Sequence, residues 1–305
     1  MSKHPTRILL AYAGMCLIWG STWMAIKIGL EGAPPLTSIA ARMIIATAVV
    51  FAFVRLRRIP IPRDRRFVRL GFFLGFFHIL FPYSLVYYGE QRIPSGQAAV
   101  LYATHPLMVA VFARLVLGDA LTARKLFGIA TGIAGVAVIF SDSLRGDASH
   151  GASQATGILL VLGSVFASAV GSVATKRWSG GYHPVASLLI PFATGAVVAS
   201  CGALVFERAN PLEFDPATWA SIAYLAVVGS CAAFSLFFYV IQHLDVTVVS
   251  YQTFIIPIIA VLIGWALLGE TVSPRVGAGA ALILAGIALA TFWSNPRARR
   301  AARAP

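Results

Sequence analysis

The chain is poor in charge. Asp, Glu, Lys and Arg make up 11% of its 305 residues, against roughly 25% in a soluble domain. Acidic residues are the scarcest, 11 against 24 Lys and Arg. None falls deep in an apolar run. Glu90, Asp119 and Glu270 come closest, and each stands near the end of one. That disfavours ion coupling through a deep carboxylate, a common arrangement in proton-driven pumps. Cysteine is nearly absent as well. Cys16, Cys201 and Cys231 all sit inside apolar runs, which excludes a disulfide framework and a cysteine metal site. No nucleotide loop, metal-ligand spacing or nucleophile–base motif appears, so no cofactor and no catalytic residue is expected. A membrane enzyme acting on lipid would need an acid, His or Ser cluster near one interface, and none stands out.

What the chain has instead is apolar length. It is 58% hydrophobic, with a mean hydropathy of +0.81. Ten apolar segments follow one another: 8–30, 36–54, 67–88, 95–117, 123–141, 156–175, 185–206, 217–240, 247–268 and 274–293. Each is long enough to cross a hydrocarbon core of about 30 Å as a helix. Lipid offers the backbone no hydrogen-bond partner, so the spans must be helical. The expected fold is an all-α polytopic membrane protein of ten transmembrane helices. The first span lacks a small-residue cleavage site and reads as retained rather than as a signal peptide.

The basic residues set the orientation. With the N-terminus inside, the inner segments carry Lys3, Arg7, the seven arginines between 55 and 69, Arg124, Lys125, Lys176, Arg177 and four arginines after 296, seventeen in all. The outer loops carry Arg92, Arg145, Arg208 and Arg275. This bias predicts both termini on the cytoplasmic side. The net charge of +13 is thus a topology signal beside an anionic leaflet. No nucleic acid is expected as a partner.

Half of the chain repeats the other half. Pro106, Gly118-Asp119, Gly128 and Gly135 recur 151 residues later as Pro257, Gly269-Glu270, Gly279 and Gly286. Lys27 and Pro35 recur more faintly as Lys176 and Pro184. Residues 8–141 and 156–293 therefore read as two five-helix repeats, with 294–305 as a basic cytoplasmic tail. An odd number of spans per half makes the repeats inverted. Inverted halves that exchange conformations are the construction of many secondary transporters, with the substrate near the bilayer midplane between them.

The motifs Ile18-Trp19-Gly20-Ser21-Thr22-Trp23, Pro34-Pro35 with Arg42 after it, Glu90-Gln91 through Pro94-Ser95-Gly96 to Pro106, and Gly269-Glu270 before a glycine-rich last span resemble the drug/metabolite transporter superfamily, in particular its ten-span EamA-type exporters. The resemblance covers nearly the whole chain. It implies a multi-pass carrier of the bacterial inner membrane, exporting amino acids, related metabolites or drug-like compounds through a central cavity. The chain departs from the family at Ser168, where a Trp is often found.

Several deep polar and aromatic residues are candidates for that cavity. His78 and His105 lie mid-span, either satisfied by a neighbouring helix or bonded to substrate. Trp19, Trp23 and Lys27 share one helical face; the tryptophans either stack on substrate or pack between helices, and Lys27 can snorkel. Tyr83, Tyr102, Tyr239, Tyr251 and Gln252 complete the substrate-binding set. Tyr87 and Tyr88 fit an interfacial belt. Pro82, Pro106, Pro191 and Pro257 are expected to kink their spans and shape the wall. Pro106 and Pro257 would free the carbonyls of Tyr102 and Thr253. Arg42 either snorkels or stands as a fixed positive charge at the outer mouth. Asp119 and Glu270 are expected to cap the turns they stand in. The expected partners are a small-molecule substrate and the bilayer, with room for a homodimer. A passive facilitator on the same fold remains the alternative, as does a carrier for drug-like compounds.

Overall fold

A computed structural model describes residues 5–143, 148–178, 181–209, 215–244 and 246–292. The basic tail expected at 294–305 lies outside the described residues. Nine helices there are long and apolar enough to cross a bilayer. In chain order they are α1 (Thr6–Gly32), α2 (Pro35–Leu56), α3 (Arg65–Glu90), α4 (Ser95–Leu117), α5 (Ala123–Asp142), α6 (Gly151–Trp178), α7 (Ala186–Phe206), α8 (Pro216–Ile241) and, after a shorter apolar helix, α10 (Pro274–Thr291). The shorter one, α9 (Gln252–Leu268), has 17 residues. The span expected at 247–268 is thus split. Val246–Val249 forms one turn, and the chain breaks at Ser250 and Tyr251 before α9 begins. The β-branched run Val246-Thr247-Val248-Val249 is a poor helix former, which favours the break there.

The helix ends follow local chemistry. Asp64 accepts the Phe67 N–H at 3.0 Å to start α3, and Asp215 accepts the Thr218 N–H at 2.9 Å to start α8, both as N-caps. Gly118 and Gly269 end α4 and α9 in the left-handed region, at φ 76° and 65°. The next residue's N–H then reaches back six positions, Asp119 to Ala113 O and Glu270 to Gly264 O. Glycine in the left-handed conformation closes these turns, and the side chains of the acids beside them bond elsewhere.

The four prolines behave differently from one another. Only Pro257 sits inside an α-helix. Pro106 follows a break at Ala103 and Thr104 that divides α4 into Ser95–Tyr102 and His105–Leu117. Pro82 follows a π-helical stretch, Gly75–Leu80, in the middle of α3. Pro191 is the third residue of the α-helical part of α7, Leu189–Phe206. A first turn has no amide bond for proline to remove, so Pro191 lacks the cause of the kink expected there. A second π stretch, Leu225–Ala232, interrupts α8.

Packing joins distant helices. α2 lies on α7, α4 on α9 and α5 on α10, while α1 lies on α8 and α9, and α6 on α3 and α4. The α5–α10 contact rests on glycine. A Cβ on Gly135 would stand 2.6 Å from the Gly279 carbonyl, and one on Gly279 would stand 2.7 Å from the Gly135 carbonyl. Gly128 faces Gly286 in the same way. Bare backbones can meet at such distances, and side chains cannot. The large side chains left on the surface, such as Leu115, Phe127, Phe206 and Leu267, are 68–78% exposed; an apolar surface of this kind suits lipid.

Candidate functional site

A cavity of about 500 Å³ lies among α1, α2, α3, α4, α6, α8 and α9. The breaks in regular helix are what bring polar groups to it. The π stretch of α3 carries His78 on the wall, and that of α8 carries Ser230, 0% exposed, which is off the wall but bonds Arg42 on it. The broken α4 turns Tyr102 and His105 onto the wall.

Of the residues expected from sequence, Trp19, Trp23, His78, Tyr83, Tyr102, His105 and Gln252 line the cavity, with Pro82, Pro106 and Pro257. Tyr239 and Tyr251 do not. Tyr239 stacks on His243 at 4.3 Å with 37% of its surface exposed, and Tyr251 stands in the break before α9, 40% exposed. Pro191 also lies outside the wall, buried in α7.

The aromatic wall has two groups of rings. Trp23 meets Tyr102 edge-on at 5.4 Å, and Tyr102 stacks on His105 at 5.9 Å with an interplanar angle of 6°. Trp19 packs on Phe234 at 5.7 Å and on Phe237 at 5.6 Å. α6 holds the polar side of this wall. Its Ser168 Oγ bonds the Tyr102 hydroxyl at 2.7 Å, and its Ser172 Oγ bonds His105 Nε2 at 3.2 Å. Ser164, Ser168 and Ser172 recur every four residues and so share a face. The four-residue spacing of that stripe is visible in the sequence, though small hydroxyls alone do not mark a cavity. Ser168, where the family often has Trp, is the partner that orients Tyr102. Gly171 leaves the space that His78 fills, since a Cβ there would come 2.7 Å from His78 Nδ1.

Among the described residues, three buried polar atoms on this wall have no hydrogen-bond partner: His78 Nδ1, Ser164 Oγ and Gln252 Oε1. A buried polar atom left unbonded is costly. In a cavity, water or a bound solute meets that need.

Arg42 is the cavity's charged residue. It does not snorkel. It is 5% exposed, with Tyr83 against its guanidinium face at 4.5 Å. Lys27 does not snorkel either. Its Nζ donates to the backbone carbonyls of Glu90 and Ile93, fixing the α3–α4 turn to α1. Glu90, 0% exposed, has both carboxylate oxygens without a hydrogen-bond partner among the described residues.

The cavity is closed at the end that carries the α1–α2 turn. Glu270 does not cap its own turn. It reaches across to the start of α4 and accepts from Ser95 N–H at 2.7 Å and Gly96 N–H at 3.1 Å. Glu207, at the end of α7, accepts from Leu36 and Thr37 N–H at 2.8 Å each and from the Tyr88 hydroxyl at 3.1 Å. Ala33, Glu90, Ile93 and Ser95 are all 3% exposed or less. Towards the opposite end the wall continues to Thr175, near the last residue of α6, Trp178. There Asp119 pairs with Lys176 at 2.9 Å, and both are exposed.

Comparison with known proteins places this architecture. The model of the EamA-like transporter family matches residues 6–141 and 155–292. The chain belongs to the EamA-like transporter family. It is a multi-pass membrane transporter of the drug/metabolite transporter superfamily, and its place is the inner membrane. It is 30% identical to the "Uncharacterized inner membrane transporter YedA" of Escherichia coli (strain K12), over 92% of this chain and 90% of that one. It is 25% identical to the "Probable amino-acid metabolite efflux pump" of Salmonella typhimurium, over 94% of this chain and 95% of that one. A solved crystal structure, 21% identical, shares the fold with a TM-score of 0.64 over 94% of this chain and 98% of its own.

Proposed function

We propose that this EamA-like transporter exports small metabolites, amino acids or related compounds, by alternating access from cytoplasm to periplasm. The observation that carries the reading is the cavity itself: sealed at one end, extended at the other, and lined by polar atoms that lack protein partners. With the N-terminus inside, as the basic residues require, the sealed end is periplasmic and the cavity faces the cytoplasm.

Two inverted five-helix halves would supply the motion. Several observations support that division. The family model matches two stretches, one in each half. The helix pairings map onto themselves when each helix is exchanged for the one five places on: α2–α7, α4–α9 and α5–α10 stay in place, and α1–α8 becomes α6–α3. The N-caps Asp64 and Asp215, the left-handed Gly118 and Gly269, and the two π stretches also lie 151 residues apart or nearly so.

The halves differ at their gates. At the sealed end Glu270 holds the start of α4, and Lys27 holds the α3–α4 turn. Their counterparts, Asp119 and Lys176, hold only each other. Exchanging the two arrangements would free Glu270 from Ser95 and bring Asp119 to the start of the segment at Val246. That movement closes the inner end and opens the outer one.

The test is counterflow in proteoliposomes preloaded with amino acids. Labelled substrate should accumulate against unlabelled substrate on the far side. Tyr102→Phe, which loses the Ser168 bond, should slow it severalfold. Equilibration without accumulation would assign a passive facilitator instead.

A further inference from the structure

The buried guanidinium of Arg42 has no counter-ion among the described residues. No carboxylate of the described residues lies within 4.0 Å of it. Its hydrogen bonds go to neutral hydroxyls alone. Nε and Nη2 donate to Ser230 Oγ at 3.3 and 3.2 Å, Nη1 to the Tyr87 hydroxyl at 3.3 Å, and Nη2 to the Tyr83 hydroxyl at 3.5 Å. These contacts are long for a charged donor, whose bonds to an oxyanion shorten to about 2.7–2.9 Å. Four contacts also leave at least one of the five N–H groups unused. Ser230 is itself committed, because its hydroxyl proton goes to Leu225 O at 3.0 Å.

A buried charge without a partner is costly and marks a site in a membrane protein. Moving Arg42 out to water would relieve that cost. Instead three hydroxyls and the Tyr83 ring hold it in place on the cavity wall. The described residues of the rest of the wall include no Asp or Glu to attract a cation, and Trp19, Trp23 and Tyr102 give it an aromatic side.

We propose that Arg42 docks the carboxylate head of an organic acid whose aromatic or apolar body lies against the tryptophan and tyrosine side of the cavity. The inference names the substrate class of the transport site proposed above and rests on that reading. A carboxylate accepts from the unused N–H, replaces the missing counter-ion, and leaves Gln252 and the α6 serines for the polar groups of the body. Cationic amphiphiles have no partner in this wall and meet the repulsion of Arg42.

Calorimetric titration of the full chain in detergent near neutral pH tests this without requiring transport. Four ligands share one ring: phenylacetate, phenylacetamide, phenethylammonium and phenylphosphonate. Phenylacetate should bind at least about tenfold more tightly than its neutral amide, with phenethylammonium weakest. In Arg42→Gln the acid–amide ratio should fall to about one, and Arg42→Lys should restore part of it. The wild-type comparison stands even where Arg42→Gln fails to fold. Tighter binding of phenylphosphonate keeps the oxyanion dock and assigns it a phosphorus head group. An amide that binds as well as the acid, an ammonium that binds best, or no binding by any of the four would overturn the proposal. Counterflow with other solutes would then still report on transport separately.

Discussion

The contact between Glu270 and the start of α4 makes the gate measurable. Its carboxylate accepts two backbone N–H groups, Ser95 at 2.7 Å and Gly96 at 3.1 Å. It lies at a helix N-terminus, where a negative charge is favoured. Removing such a cap costs about 1–2 kcal/mol, and the lost charge at the helix end about 0.3–1 kcal/mol more. A total near 2 kcal/mol, felt only while the outer end is closed, multiplies the outward-open population roughly thirtyfold. Glu270→Ala should therefore open the periplasmic side. The assay uses protein in which Cys16, Cys201 and Cys231 are replaced and Val86→Cys is introduced. Val86 is a cavity residue 6% exposed near the sealed end. Labelling by a membrane-impermeant maleimide from the outside should accelerate at least about tenfold in Glu270→Ala. Glu270→Gln, which keeps an acceptor without the charge, should fall between the two. Unchanged outside labelling in a variant that melts normally, or acceleration only from the inside, would refute the gating role.

Other outcomes follow from the same structure. Glu207→Ala removes the acceptor for Leu36 N–H, Thr37 N–H and the Tyr88 hydroxyl, and should lower stability by about 2–3 kcal/mol, read as a lower Tm. Gly135→Leu forces a side chain into the Gly279 carbonyl; separation of α5 from α10 should cost about 1–3 kcal/mol, whereas Gly277→Ala, with open space around it, should leave Tm unchanged. Asp64 lies outside the spans and accepts from Phe67 N–H and the Tyr182 hydroxyl. The backbone bond first, and then the tyrosine, hold its carboxyl below the usual range. A lowered folded pKa means its stabilisation is present above the unfolded value, near 4, and is lost as pH falls through the folded value. The Tm difference between wild type and Asp64→Ala should be full at neutral pH and close in strong acid.

Much of the cavity wall was legible residue by residue. Trp19, Trp23, His78, Tyr83, Tyr102, His105 and Gln252 were singled out because polar and aromatic groups inside apolar runs need a reason to be there, and all seven meet at one cavity. Tyr239 and Tyr251 met the same criterion and face elsewhere, because depth along a span says nothing of its rotation. The π stretches and the breaks in α4 and α9 alter that rotation part-way, so helical periodicity fails where the site lies. The serine stripe of α6 was missed because small hydroxyls are also ordinary in packed membrane helices.

The sequence by itself determined that this chain lives in a bilayer, which family it resembles and that its landmarks recur at a fixed offset. Those properties follow from composition and spacing, which need no partner to be read. Only the tertiary structure decided what the charges do. Lys27, expected to snorkel, and Arg42, expected either to snorkel or to stand as a fixed charge at the outer mouth, are held inside by backbone carbonyls and hydroxyls from other helices. Glu270, expected to cap its own turn, caps a helix 174 residues away in the chain. A side chain's partner is set by which helices the fold brings together, and the cost of burying a charge in a membrane protein makes that choice decisive.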